Sequence, residues 1–203
     1  MRILHVLDHS VPVHTVYSHR TLSLLRQQRA LGWHTIQFTG PAQGKVETED
    51  RNRNGWHFFR TPPGPQWLPQ PLLAHRMAQR LRHAIRLARP DILHAHPPAR
   101  NAVAALWAGW RCGVPVLVET HGGMRSALAN YTARAAAAVV ADSHVLRTHL
   151  LARGVAHQRI SVIPPAVDLA RAAPAAPSEF DSGAGPLLAY IGAAPSPFHA
   201  VAE

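Results

Sequence analysis

The sequence predicts an α/β protein of Rossmann-like build, a mostly parallel sheet with helices on both faces. Three observations carry that expectation. Short apolar runs alternate with helical segments of about ten to twenty residues. Some runs, "VPVLV" above all, are apolar without interruption, as strands covered on both sides are. The chain has 203 residues, 47% of them apolar. That is ample for one buried core with some chain left over.

Each element follows from its own signals. "RILHVL" is a short apolar strand, and "DHSVPVHTVY" after it is a turn-rich loop. "SHRTLSLLRQQRALGW" carries Leu22, Leu25 and Leu31 at helical spacing, with Ser18 as its cap. "HTIQFTG" alternates as a strand does, the polar "PAQGKVETEDRNRNG" is a loop, and "WHFFRT" is another strand. The proline-rich "PPGPQWLPQP" leads into an amphipathic helix, "PLLAHRMAQRLRHAIRLARP". Leu73, Met77, Leu81, Ile85 and Ala88 line one face of that helix, beside Arg76, Arg80, His83 and Arg86. "DILHAH" is a strand, and "NAVAALWAGWRCG" is a helix ended by Gly113. "VPVLVET" is a strand, followed by a loop and short helix in "GGMRSALANYTARAA". "AAVVADS" is a strand, "HVLRTHLLARG" a helix ended by Gly154, and "ISVIPP" a last strand. "AVDLARAAPAAPSEFDSGAG" has the composition of a linker. "PLLAYIG" then reads as the first strand of another α/β unit.

Composition narrows the function. The formal charge is +10, and all but one of the 21 basic residues are arginine. Such an excess favours an anionic partner: nucleic acid, a phosphorylated sugar or an acidic membrane surface. It is equally the mark of a composition rich in Arg, Ala and Pro. No nucleic-acid partner is expected, because the basic residues do not cluster with interleaved aromatics. The single cysteine, Cys112, allows no internal disulfide and suits a reducing cytoplasm. "MRILHVLDH" does not read as a secretory signal. The best candidate for a spanning helix, "AVAALWAGWRCGVPVLV", is interrupted by Arg111. A cytoplasmic protein is expected, with a peripheral place at the inner face of the plasma membrane as an option.

The carboxyl ends of the strands, where parallel sheets bind ligands, are unusually polar. They carry Asp8 and His9, His94 and His96, Glu119 through His121 with Gly122 and Gly123, and Asp142 with Ser143. Packing requires none of these, so they read as one polar cleft. His94 and His96 share a strand face, a spacing that permits a metal, but no third ligand stands at a characteristic distance, and no metal is expected. His121, followed by two glycines that let backbone approach a ligand, is the strongest candidate, since imidazole can donate to a hydroxyl or a developing anion. The loop "HSVPVHTVYSHR" opens the first long helix, whose N-terminus favours phosphate, with Arg20 as a charged clamp. It lacks the glycines of a phosphate loop. His9, His14 and His19 recur every five residues, a period of neither helix nor strand, and are not read as a metal cluster.

Taken in order, "MRILHVLDHS", "SHRTLSLLRQQRALGWHT", "PDILHAH", "GVPVLVETHG", "ADSHVLRTHLLARGVAHQRISVIPPAVD" and "LLAYIG" resemble glycosyltransferases of family 4, which have the GT-B fold. The opening resembles the branch associated with exosortase and exopolysaccharide gene clusters. The likeness covers residues 1 to about 192. It implies two Rossmann-like domains across a cleft and transfer of a sugar from a nucleotide donor, retaining anomeric configuration without a metal. The only co-substrate implied is the nucleotide sugar. The N-terminal domain would hold a sugar or lipid-linked acceptor, and the C-terminal domain the donor.

Carried onto this chain, the resemblance makes His121 the catalytic residue contacting the transferred sugar. It makes His14, Tyr17, Arg20, His96, Glu119 and Ser143 substrate-binding, with His96 facing the cleft. "VIPPAVD", with Asp168, matches "VIPNGVD" before the interdomain linker. Thr15-Val16 stands where the family has serine-glycine, and Pro165-Ala166 where it has asparagine-glycine. The expected organisation is an acceptor-side domain over 1–167, a linker over 168–185, and the truncated start of a second Rossmann-like domain over 186–203. The missing domain, or a separate chain supplying it, would then be a partner. Two other readings stay open: a non-catalytic module binding a carbohydrate or lipid-linked glycan, and an arginine-striped surface helix lying on an acidic membrane.

Overall fold

The computed structural model describes residues 1–13, 15–44, 49–53, 55–64, 69–121 and 126–166, without the side chains of 16, 49–53 and 70. Met1–Ala166 is one compact unit. The expected linker, Asp168 and the strand in "PLLAYIG" lie outside the described residues, as does His14.

Eight strands form one sheet in the order β3-β4-β2-β1-β5-β6-β7-β8. Strand β1 is Arg2–Leu7, β2 His34–Thr39, β3 Glu49–Arg53 and β4 Trp56–Arg60. Strand β5 is Ile92–Ala95, β6 Val116–Thr120, β7 Ala138–Ala141 and β8 Ile160–Val162. All pairings are parallel except that of β3 with β4. The predicted mostly parallel α/β sheet is therefore present. Strand β3 is the departure: it falls inside the segment read as a polar loop. "EDRNR" has no apolar face, so periodicity could not announce it, and an edge strand needs none.

Five helices connect the strands: α1 Val16–Ala30, α2 Gln70–Ala88, α3 Ala99–Cys112, α4 Ala127–Ala135 and α5 His144–Ala152. Helix α1 starts two residues before the expected cap. Thr15 is the N-cap and Ser18 is its N3 partner, the two side chains closing a capping box on each other's backbone N–H. Leu22 and Leu25 face the sheet as expected, whereas Leu31 ends the helix in solvent. Helix α2 buries Ala74, Met77, Ala78, Leu81, Ala84 and Ile85 and leaves Arg76, Arg80 and Arg86 outside. Its apolar face belongs to the core, and the arginine stripe stands outside it. Among the described residues, no helix is long and apolar enough to cross a membrane.

The two faces of the sheet differ. Leu4, Val6, Leu93 and Ala95 belong to the main core with α2 and α3. Their neighbours in sequence, His5, His94 and His96, therefore point the other way, beneath α1. There Leu22 and Leu25 pack on Trp56 and Phe58. Strand β1 is the centre from which the chain moves out to β2 and β4 on one side and to β5 through β8 on the other. The change of direction lies between β1 and β5, and a crevice opens beyond their carboxyl ends.

Candidate active site

The loop after β1 is fastened at several points. The backbone N–H of Ser10 donates to Gln43 Oε1 at 2.8 Å, and Gln43 Nε2 donates back to the carbonyl of Ser10 at 3.0 Å. His9 Nε2 meets the cap residue Thr15 at Oγ1, 2.8 Å away. Two contacts then tie this loop to the turn after β5. Arg100 donates to Asp8 Oδ1 at 2.6 Å, and the Tyr17 hydroxyl donates to the carbonyl of Pro97 at 3.2 Å. Burial pushes the Tyr17 phenol well above its ordinary range, so it remains a donor. Asn101 holds the same turn from below, donating to the carbonyls of His96 and Pro97.

Strand β6 delivers Glu119, whose side chain is 3% exposed, into the middle of this region. A carboxylate so buried must be compensated, and four groups do so. Arg20 spans the site like a fork: Nη2 donates to Glu119 Oε1 and Nη1 to His121 Nε2 at 2.9 Å. His121 Nε2 also lies 3.1 Å from Glu119 Oε1. On the far side, His96 Nδ1 is 2.6 Å and His94 Nε2 3.6 Å from Glu119 Oε2. Burial opposes the charge of Glu119, but its contacts with the imidazoles of His121, His94 and His96 outweigh it and hold the carboxyl far below the usual range. Glu119 is thus a fixed anion, with both oxygens engaged.

His121 is the accessible member of this set, with 30% of its side chain exposed. Its Nδ1 is 3.5 Å from Asp142 Oδ2 at the end of β7. With Asp142 beside Nδ1 and Arg20 and Glu119 beside Nε2, the ring is held from both ends. Asp142 is in turn held by Ser143, whose hydroxyl donates to its Oδ1 at 3.0 Å. Ser143 also caps α5, accepting from the backbone N–H of Leu146. A cavity of about 190 Å³ adjoins the site, bordered by Glu119, His121, Pro97, Pro98 and Thr132.

Of the residues singled out in the sequence, the structure brings Arg20, Glu119, His121 and His96 together and sets Tyr17 at the same sheet edge. Ser143 acts on Asp142 and on its own helix. His96 was expected to face the cleft; its side chain is buried behind Glu119, and the residue borders the same cavity as Glu119 and His121. His94 and His96 stack at 4.1 Å, and β1 supplies a third imidazole, His5, in register with His94. Burial, with the neighbouring imidazoles, lowers His5 well below its ordinary value. Burial also lowers His96, to about 4, despite the opposing pull of Glu119. Sequence reading passed over His5 and Arg100 as site residues and placed Asp142 at the polar edge without giving it a role. His5 had a usable signal, a histidine in the middle of an otherwise apolar strand. Arg100 had none, being one arginine among many.

Residues 17–166 match the family model described as glycosyl transferase 4-like domain. No match is found among curated proteins. Solved structures share the fold. The apo form of the lipopolysaccharide outer core galactosyltransferase WaaB is 16% identical with a TM-score of 0.66, over 89% of this chain and 50% of that one. A glycosyltransferase from Rickettsia africae ESF-5 is 18% identical with a TM-score of 0.60, over 82% and 43%. UDP-GlcNAc 2-epimerase from Neisseria meningitidis, bound to UDP-GlcNAc, is 12% identical with a TM-score of 0.58, over 80% and 45%. The chain thus spans about half the length of these solved structures.

Proposed function

The chain belongs to the glycosyl transferase 4-like domain family, and on that premise we propose that it is the acceptor-side domain of a retaining glycosyltransferase. It serves sugar transfer from a nucleotide-sugar donor to a glycan or lipid-linked acceptor, in the synthesis of exopolysaccharide or envelope glycan. The observation that carries this reading is the arrangement of Arg20, Glu119, His121 and Asp142. Two strand ends and the first helix aim one exposed imidazole into the crevice over a buried, compensated anion.

The roles follow from the geometry. Glu119 does not attack the sugar, because Arg20 and His121 hold one oxygen and His96 and His94 the other. It orients Arg20 and His121 instead. His121, fixed by Asp142 and Arg20, meets a hydroxyl of the sugar being transferred. Arg20 places positive charge next to the reacting groups, where charge develops on transfer. Tyr17 and the Asp8–Arg100 pair shape the acceptor side of the crevice between β1 and β5. The nucleotide is held by the opposite wall of a two-domain enzyme, and that wall is why the chain by itself is expected to transfer little. Positioning two substrates accounts for many orders of magnitude in rate.

The test supplies a GT-B donor-side domain in trans and follows release of nucleoside diphosphate with a panel of nucleotide sugars and with glycan and lipid-linked acceptors. Transfer is expected only when both parts are present, and His121→Ala is expected to lower it by about 10²–10³-fold. Acceptor binding with no transfer in any combination would instead favour the carbohydrate-binding module. Neither binding nor transfer would overturn both readings.

A further inference from the structure

The three histidines beneath the site pose a problem of hydrogen atoms. His5 Nε2 lies 2.9 Å from Gln28 Oε1, a carbonyl oxygen that only accepts. With the Gln28 amide in this orientation His5 carries its hydrogen on Nε2. His96 Nδ1 lies 2.6 Å from the carboxylate oxygen Oε2 of Glu119, so His96 carries its hydrogen on Nδ1. The two remaining nitrogens, His5 Nδ1 and His96 Nε2, then face each other at 3.0 Å, lone pair to lone pair. Such an approach is repulsive, and it is relieved either by a cation between the two nitrogens or by turning the Gln28 amide so that His5 Nδ1–H donates to His96 Nε2. His94, also buried, adds a third ring whose Nε2 makes no hydrogen bond. One ring nitrogen from each of the three histidines lies within 4.8 Å of the other two.

We propose that His5, His94 and His96 bind one divalent transition-metal ion of the zinc class beneath the Glu119–Arg20–His121 site. Three arguments support the assignment. First, imidazole nitrogens at about 2.0–2.1 Å from a tetrahedral zinc are separated by roughly 3.3–3.4 Å from one another, so the 3.0 Å between His5 and His96 need open only by about 0.3–0.4 Å. Second, a metal-bound histidine characteristically gives its other N–H to an amide or carboxylate oxygen. Gln28 and Glu119 stand in those two places. Third, the chemistry of the donor set is selective: neutral imidazoles in a dry pocket suit zinc, copper or nickel and not magnesium or calcium. The ion is buried behind Glu119 and takes no part in the transfer. It fixes His96, which fixes Glu119, which fixes Arg20 and His121. The proposal is independent of the sugar-transfer reading, since metal can be measured with no substrate.

The experiment uses the full chain, stripped with chelator and refolded with or without Zn²⁺, and separately titrated with Co²⁺. One Zn²⁺ per chain by elemental analysis is expected, with a higher Tm and a visible Co²⁺ absorption typical of nitrogen ligands. His5→Gln and His94→Gln are each expected to weaken binding at least about 100-fold with the far-UV circular dichroism kept. His75→Gln, on the surface of α2, is expected to change nothing. Should a variant fail to fold, ¹⁵N imidazole NMR of the unaltered chain decides: on adding Zn²⁺, His5 Nδ1 and His96 Nε2 shift as bound nitrogens. Absence of stoichiometric binding, binding indifferent to His5→Gln, or a hydrogen found on His5 Nδ1 unchanged by Zn²⁺ would each overturn the proposal.

Discussion

The decisive residue is Glu119. A buried carboxylate among three strand ends must be neutralised locally, and the groups that neutralise it are the ones that would meet a substrate. Its acidity and that of the histidines beneath it yield an expectation about pH. His96 is lowered by burial from 6.5 to about 4 in the folded chain, and His5 is lowered as well. Between those values the unfolded chain binds more protons than the folded one, so stability falls as pH falls. Glu119, also depressed, adds to the loss below 4.5. The metal-free chain should therefore lose on the order of 5 °C or more in Tm between pH 6.5 and pH 4. His5→Asn should flatten that dependence, as followed by thermal melts across the range. A Tm independent of pH over this window would show that the imidazoles are solvated and the site is open.

Among the elements, α3 is the most tightly fitted. Ala102, Ala104, Ala105 and Ala108 are buried along it, small side chains that bring the helix close to the sheet. Gly109 continues the row for a stricter reason. A Cβ there would lie 2.7 Å from the carbonyl of Val114 and 2.8 Å from Val116 Cγ2, closer than any side chain tolerates. Glycine within a helix ordinarily costs about 1 kcal/mol relative to alanine, so Gly→Ala on an open face stabilises. Here Gly109→Ala is expected to destabilise by about 1–3 kcal/mol through overpacking, measured by urea unfolding. An unchanged or higher midpoint would mean that α3 stands farther from β6 than described. This helix also shows where sequence reading worked. Its end at Gly113, with φ of 69°, was legible because a left-handed cap favours glycine. The start of α1 was misplaced because both Thr15 and Ser18 are capping residues. Only the closed capping box decides between them.

For the molecule as a whole, the described sheet and the layers on both its faces lie within Met1–Ala166. Every described strand and every described buried residue fall there. A fragment of residues 1–166 is therefore expected to unfold cooperatively, with a Tm within about 4 °C of the 203-residue chain. Calorimetry of the two checks this, and a fragment without a cooperative transition would place part of the core beyond residue 166. The net charge of +10 is likewise a property of the whole. It is spread over helix surfaces, Arg76, Arg80 and Arg86 among them, and only a few of its members, Arg20 foremost, are drawn into the site.

The amino-acid order alone determined the succession of strands and helices, the parallel character of the sheet and the polarity of its carboxyl edge. Those are short-range properties: periodicity, capping and turn chemistry act within a few residues. It also pointed to Arg20, Glu119 and His121 as separate candidates. The tertiary structure decided which of them meet. Arg20 and Glu119 are 99 positions apart, His5 and His96 are 91, and Arg100 and Asp8 are 92. Contacts of that separation depend on strand order and on which face each residue takes. One placement of β1 between β2 and β5 puts a third histidine beside His94 and His96, behind Glu119.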